Sequence, residues 1–119
     1  MRKELNQLFF LINLKLGVVI LSNKEMLKAI RKSSYPFLSA PKNFWINSDD
    51  ELIDMEEMDL SYLKSCQNYL KNHKTDIFRG SIGFHDKKNI TDFDGIKELL
   101  KELYVNKLEE LDLNIENRA

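Results

Sequence analysis

Apolar residues recur at helical spacing in three stretches of the chain and alternate in two short ones. Met26, Leu27 and Ile30 follow Ser22, which stands three residues before Glu25 in capping-box spacing. That predicts a short helix over residues 23–32, with Arg31 and Lys32 in its last turn, where they suit the helix dipole. Ser33-Ser34-Tyr35-Pro36 breaks it, and Pro41 keeps residues 36–42 extended or looped. Phe44–Asn47 and Leu52–Met55 read as two strands around the acidic turn Ser48-Asp49-Asp50-Glu51. An aspartate there bonds readily to nearby backbone N–H groups. Ile53 and Met55 alternate with Leu52 and Asp54, which predicts one buried face. Asp59 suits the N-cap of a helix over residues 60–72, whose apolar stripe is Leu60, Leu63, Cys66 or Gln67, and Leu70, flanked by Tyr62 and Tyr69.

Residues 73–92 carry glycines and mixed charges and read as a long loop, with a weak hairpin around Gly80–Gly83. Ile77, Phe78, Ile82 and Phe84 give it an apolar side. From Thr91 or Asp94 a long helix begins. Ile96, Leu99, Leu100, Leu103, Leu108 and Leu111 form its apolar stripe. Glu98, Lys101, Glu102, Lys107, Glu109 and Glu110 are assigned to the opposite, polar face, and the end from Asn114 is expected to fray. The pattern predicts a small α+β domain over residues 1–119, a short β-hairpin packed on two to four helices, the last of them long.

Residues 8–21 are the most apolar run, too short to span a bilayer and interrupted by Asn13 and Lys15. Arg2 and Lys3 resemble the start of a signal peptide, but no small-residue cleavage site follows. Two readings stay open. The run is an extra strand or helix, or residues 1–20 are a non-native extension translated from an AT-rich leader, with Leu21 at a UUG start codon. An AT-rich source fits the abundance of Lys, Asn, Ile and Leu.

Composition narrows the function classes. With 18 basic against 19 acidic residues, the net charge of −1 gives no global attraction to nucleic acid or anionic lipid. The single cysteine, Cys66, excludes an intramolecular disulfide and a cysteine zinc site, and fits a cytoplasmic location. Four glycines leave little scope for a phosphate loop. No EF-hand spacing is present, so no metal or cofactor is expected.

The densest charge is acidic. Asp49, Asp50, Glu51, Asp54, Glu56 and Glu57 suit docking onto a basic partner, and equally a solvated turn leading into a helix N-terminus. Trp45, with Met55 and Met58, reads as a core anchor joining the strand pair to the helix, ahead of a recognition patch. Phe78, Arg79, Phe84, Lys87 and Lys88 form the alternative site, able to hold the phosphate of a signalling nucleotide while a ring stacks on its base. His73 and His85 are the only histidines. His85-Asp86 with Ser81 matches a triad in composition alone, and triads assemble in space. Cys66 lies on an apolar stripe and reads as a small buried hydrophobe. Leu103, Tyr104, Leu108 and Leu111 extend the last apolar face far enough to suggest a homodimer or partner-helix seam, and burial of the N-terminal segment would use the same face. No catalytic constellation is visible.

Trp45, Asp49, Ile53, Met55, Met58, Leu63 and Leu70 together resemble a group of small phage and prophage proteins of low-GC Gram-positive bacteria. Those proteins read as a Trp-containing strand, an Asp-Gly turn, an Ile-x-Ile strand, a Met, and a helix opening His-Leu-x-Asn. Leu108-Glu109-Glu110 and Arg118 are similar to the end of their later helix. Here Asp50 stands where Gly is usual, Tyr62 where His is usual and Ser65 where Asn is usual. The resemblance implies a mobile-element origin rather than a mechanism. Combined with the absent catalytic set, it leads to the expectation of a non-enzymatic accessory protein that binds a host protein. A nuclease of an antiviral defence system is the expected target, in the manner of an anti-CRISPR protein.

Overall fold

The computed structural model describes residues 23–83 and 93–118. The apolar run at 8–21, both readings of residues 1–20, and the Ser22 cap lie outside them. Among the described residues the order is α1 (Asn23–Arg31), a first 3-10 turn (Pro36–Ser39), β1 (Phe44–Ile46), β2 (Leu52–Asp54), a second 3-10 turn (Met55–Glu57), α2 (Leu60–Asn72), α3 (Lys74–Arg79) and α4 (Phe93–Arg118). This is the α+β architecture expected, one antiparallel hairpin among four helices. Phe44, Trp45 and Ile46 face Asp54, Ile53 and Leu52 in register.

The hairpin turn is built by a residue that alternation alone would place in the strand. Asn47 Oδ1 accepts hydrogen bonds from the N–H groups of Asp49 (3.0 Å) and Glu51 (2.9 Å). Asp50 N–H returns to the Asn47 carbonyl, and Asp50 takes φ 61, the left-handed conformation that ends such a loop. The turn therefore needs a residue tolerant of positive φ where Asp50 stands.

Asp59 caps α2 as expected, its Oδ1 accepting from Tyr62 N–H at 2.7 Å. Leu63, Cys66 and Leu70 bury their side chains on the core. Residues 74–79 correct the long-loop reading. They form α3, which buries Ile77 fully and sets Phe78 edge-on to Tyr104, 5.2 Å between centroids. Gly80 stops this helix at φ 76, where its N–H donates to the Ile77 carbonyl and that of Ser81 donates to Asp76. At Gly83, φ 67, a Cβ would stand 2.6 Å from Ser34 Oγ, so this close approach needs glycine. No strand occurs over residues 80–83, and the rest of the expected hairpin lies outside the described residues.

The long helix packs along α2 and α3 and reaches both 3-10 turns. Its buried stripe is Ile96, Leu100, Tyr104, Lys107, Leu111 and Asn114, spaced by threes and fours along one face. Two expectations are corrected here. Lys107 lies in this stripe at 2% exposure, not on the polar face. The helix also continues past Asn114 to Arg118, because both side chains bond to the hairpin and the turn that follows it. Tyr104 and Leu111 turn inward, so much of the apolar surface that suggested a dimer seam is covered by the chain's own core. Val105 and Leu113 remain exposed.

Candidate binding surface

A polar cluster fixes the hairpin on α4. Lys107 Nζ donates to the carbonyls of Ala40 (3.3 Å), Pro41 (3.2 Å) and Phe44 (2.9 Å) and to Glu110 Oε1 (2.8 Å). The same Glu110 oxygen accepts from Asn43 N–H at 2.8 Å. Asn43 sits at φ 70, and its side-chain oxygen accepts from Asn114 Nδ2 at 2.7 Å. Arg118 closes the cluster, donating to the carbonyls of Met55 (3.0 Å) and Glu56 (2.6 Å). Burial pushes the Lys107 ammonium below its ordinary value, and the Glu110 carboxylate pulls it back. The cluster is a clamp, with every buried side-chain N or O among the described residues partnered. Periodicity alone does not point to Lys107, Asn43, Asn114 or Arg118 as partners. The only signal in the sequence is the spacing 100, 104, 107, 111, 114, 118.

The clamp holds the hairpin that carries the acidic residues. Asp49, Asp50 and Glu51 stand exposed at one end of β2, Glu56 and Glu57 exposed at the other, with Asp54 half-buried between. Asp50 lies 3.4 Å from Arg31 Nε, and Asp54 Oδ1 caps the second 3-10 turn through Glu56 N–H at 2.9 Å. Asp49, Glu51, Glu56 and Glu57 make no ion pair among the described residues. Leu52, half-exposed between the two groups, adds an apolar centre to this edge.

Trp45 is a core anchor. It is buried and stacked on Phe37, 4.1 Å between centroids and 4° between planes. Phe37 in turn meets Tyr69 and Tyr35 edge-on. Met55 and Met58 are buried with them. Beside this stack runs a groove of about 300 Å³ between the hairpin turn, the first 3-10 turn and α2, bordered by Tyr62, Ser65 and Tyr69. Tyr62 and Ser65 thus share its α2 wall. Burial chiefly, with the Glu51 carboxylate adding to it, pushes the Tyr62 phenol up. Cys66 beneath it is buried and its thiol is pushed up to about 12, which keeps it protonated and poorly nucleophilic.

Of the alternative ligand site, Phe78 packs on Tyr104 with Lys74 Nζ 5.2 Å from its ring, and Arg79 is exposed. Phe84, Lys87 and Lys88 lie outside the described residues, as do His85 and Asp86. His73 Nδ1 lies 2.7 Å from the Tyr69 carbonyl. A carbonyl only accepts, so this nitrogen carries the proton. Its ring packs on Tyr69 and Tyr35. Among the described residues no three His, Cys, Asp or Glu side chains are grouped to hold a metal ion, and no helix is long and apolar enough to cross a membrane. Comparison with protein-family models, curated proteins and solved structures finds no match.

Proposed function

We propose that this chain is a non-enzymatic binding protein that docks the acidic outer edge of its hairpin onto a basic surface of a partner protein. The observation that carries the reading is the set of exposed carboxylates without ion pairs among the described residues, Asp49, Glu51, Glu56 and Glu57, at the two ends of β2. The Lys107 and Arg118 clamp holds that edge to the long helix, which limits the ordering cost of binding. A patch of one sign speeds encounter with a surface of the other and selects against like-charged partners. The resemblance over residues 45–70 supplies the setting, a phage or prophage accessory protein in the cytoplasm of a bacterial host. The basic nucleic-acid groove of a defence nuclease has the chemistry such an edge would match.

The test is capture of host proteins by the purified chain, with phage growth scored on defended hosts. Wild type is expected to retain a defence protein in a salt-sensitive manner. The triple variant Asp49→Lys, Glu51→Lys, Glu56→Lys should lose it, while Trp45→Phe, still folded, should keep it. Capture that survives the charge reversal and falls with Trp45→Phe would place the binding face on the wrong side. No captured protein, with phage growth unchanged, would sink the docking reading.

A further inference from the structure

The two edges of the hairpin are finished differently. Asn47 N–H donates to the Glu51 carbonyl and Met55 N–H to that of Asn43, so the bonded pairs of the ladder are Asn47 with Glu51, Trp45 with Ile53 and Asn43 with Met55. The residues between them, Phe44 and Ile46 on β1 and Leu52 and Asp54 on β2, turn their backbone groups away from the partner strand. At Phe44 those groups are taken. Its N–H donates to the Pro41 carbonyl at 3.0 Å, and its own carbonyl accepts from Lys107 Nζ at 2.9 Å. β1 also packs on the first 3-10 turn. Among the described residues β2 has no such cover. Its principal neighbour is β1, and no described residue bonds to the outward N–H and carbonyl of Leu52 or to the outward N–H of Asp54. The Asp54 carbonyl begins the second 3-10 turn. Beside these groups the Leu52 side chain stands 50% exposed.

An unpaired strand edge is a template for another strand, and charge on that edge decides which strands it accepts. Here the edge is three residues long, with acidic residues at both ends. A second copy of β2 laid along it would set acidic residues against acidic ones, and like charges placed opposite each other destabilise a strand pair. A basic strand meets the opposite sign at both ends. We infer that the partner supplies an extended basic segment, which adds to the hairpin at β2 as a third strand. Leu52 N–H, Leu52 C=O and Asp54 N–H bond to its backbone. Leu52 and Asp54 project to one face of the sheet. On that face the segment carries an apolar residue beside Leu52 and a cation beside Asp54. Further cations reach Asp49 and Glu51 at one end and Glu56 and Glu57 at the other. The inference rests on the docking reading and specifies the form of the partner. The clamp occupies the β1 edge at Phe44, which leaves β2 as the edge for addition.

The isotope-labelled full chain is titrated with a blocked peptide of alternating lysine and valine, and amide NMR spectra are recorded. Two control peptides have the same length: one alternates glutamate and valine, and the other is the lysine–valine peptide methylated at its backbone nitrogens. The lysine–valine peptide is expected to bind saturably, to move the Leu52 and Asp54 amide signals and to slow their exchange with solvent. The methylated peptide keeps every charge but donates no backbone hydrogen bond, and should bind about tenfold more weakly. The glutamate–valine peptide should not bind. Leu52→Pro removes the outward N–H and leaves the ladder to β1 intact, so it should weaken lysine–valine binding about fivefold. Leu52→Ala keeps that N–H and should weaken binding about twofold. Circular dichroism and Trp45 fluorescence check that each variant is folded. Equal affinity for the methylated and unmethylated peptides, with Leu52 and Asp54 exchange unchanged, would overturn strand addition. If that binding were lost in the triple charge variant, docking by the acidic edge would still stand. Equal binding of the glutamate–valine peptide would overturn the basic partner and the docking reading with it. No peptide binding by a chain that still captures its host protein would overturn strand addition alone.

Discussion

A buried ammonium is costly unless every donor finds an acceptor, and Lys107 finds four. Removing it strands the Ala40 and Phe44 carbonyls, leaves the Pro41 carbonyl only the Phe44 N–H, and leaves the Glu110 carboxylate, itself mostly buried, without its counter-charge. Lys107→Met is therefore expected to cost about 3 kcal/mol, read as a lower urea midpoint at unchanged slope. Adding Glu110→Gln should recover part of that loss, because the unpaired charge goes with it. Single residues are legible in the sequence when their chemistry matches a local rule. Asp59 precedes a helix and caps it. Trp45 and Met58 are apolar and go inside. Lys107 obeys no such rule. A lysine in a charged run of a long helix reads as surface, and only tertiary carbonyls 63 to 67 residues away make it a core residue. Asn47 is hidden for a similar reason, since strand alternation says nothing of a side chain that folds back over its own turn.

At the scale of elements, α4 is legible in its start and its period but not in its end. Residues 114–118 look like a polar tail and stay helical only if something holds them. Asn114 and Arg118 do so by bonding across to Asn43, Met55 and Glu56. Arg118→Ala is expected to cost about 1–2 kcal/mol and to raise amide exchange at residues 55–58 as well as 114–118. A helix end that merely frayed would show no effect at residues 55–58. The short helix α3 is unreadable for the opposite reason. Six residues offer under two turns of periodicity, no side chain caps its N-terminus, and the Ile77–Phe78 pair fits a folded-back loop equally well until the core is known. The functional surface divides along the same line. The acidic residues are visible as a run, but the groove beside them joins Phe37, Trp45, Tyr62 and Tyr69 from three elements and has no contiguous signature.

At the scale of the whole molecule, the described elements share one core, and its ionisable members set a pH response. The Cys66 thiol lies at about 12 in the fold against 9.0 in an unperturbed chain, because burial favours its neutral form. The folded state therefore holds its proton where the unfolded state releases it. This contribution is intact below pH 9 and is lost as pH rises from there toward 12. Tyr35, Tyr62 and Tyr104 shift in the same direction, each chiefly through burial. Wild type should lose stability relative to Cys66→Ala as pH is raised from about 8.5 to 10, by at most about 1.4 kcal/mol per pH unit. Denaturant titrations across that range measure the difference, and parallel curves for the two proteins would contradict it.

The Arg118 clamp also has a consequence for synthesis. The carbonyl of Glu56 leaves the ribosome 62 residues before the guanidinium that binds it. At translation rates of roughly 5–20 residues per second, the acidic edge is on its own for about 3–12 s. During that interval the residues that build the turn and both strands are present but their far anchor is not, since Lys107, Asn114 and Arg118 have yet to be made. The binding edge of the nascent chain is thus assembled last, by the stretch of helix translated last among the described residues.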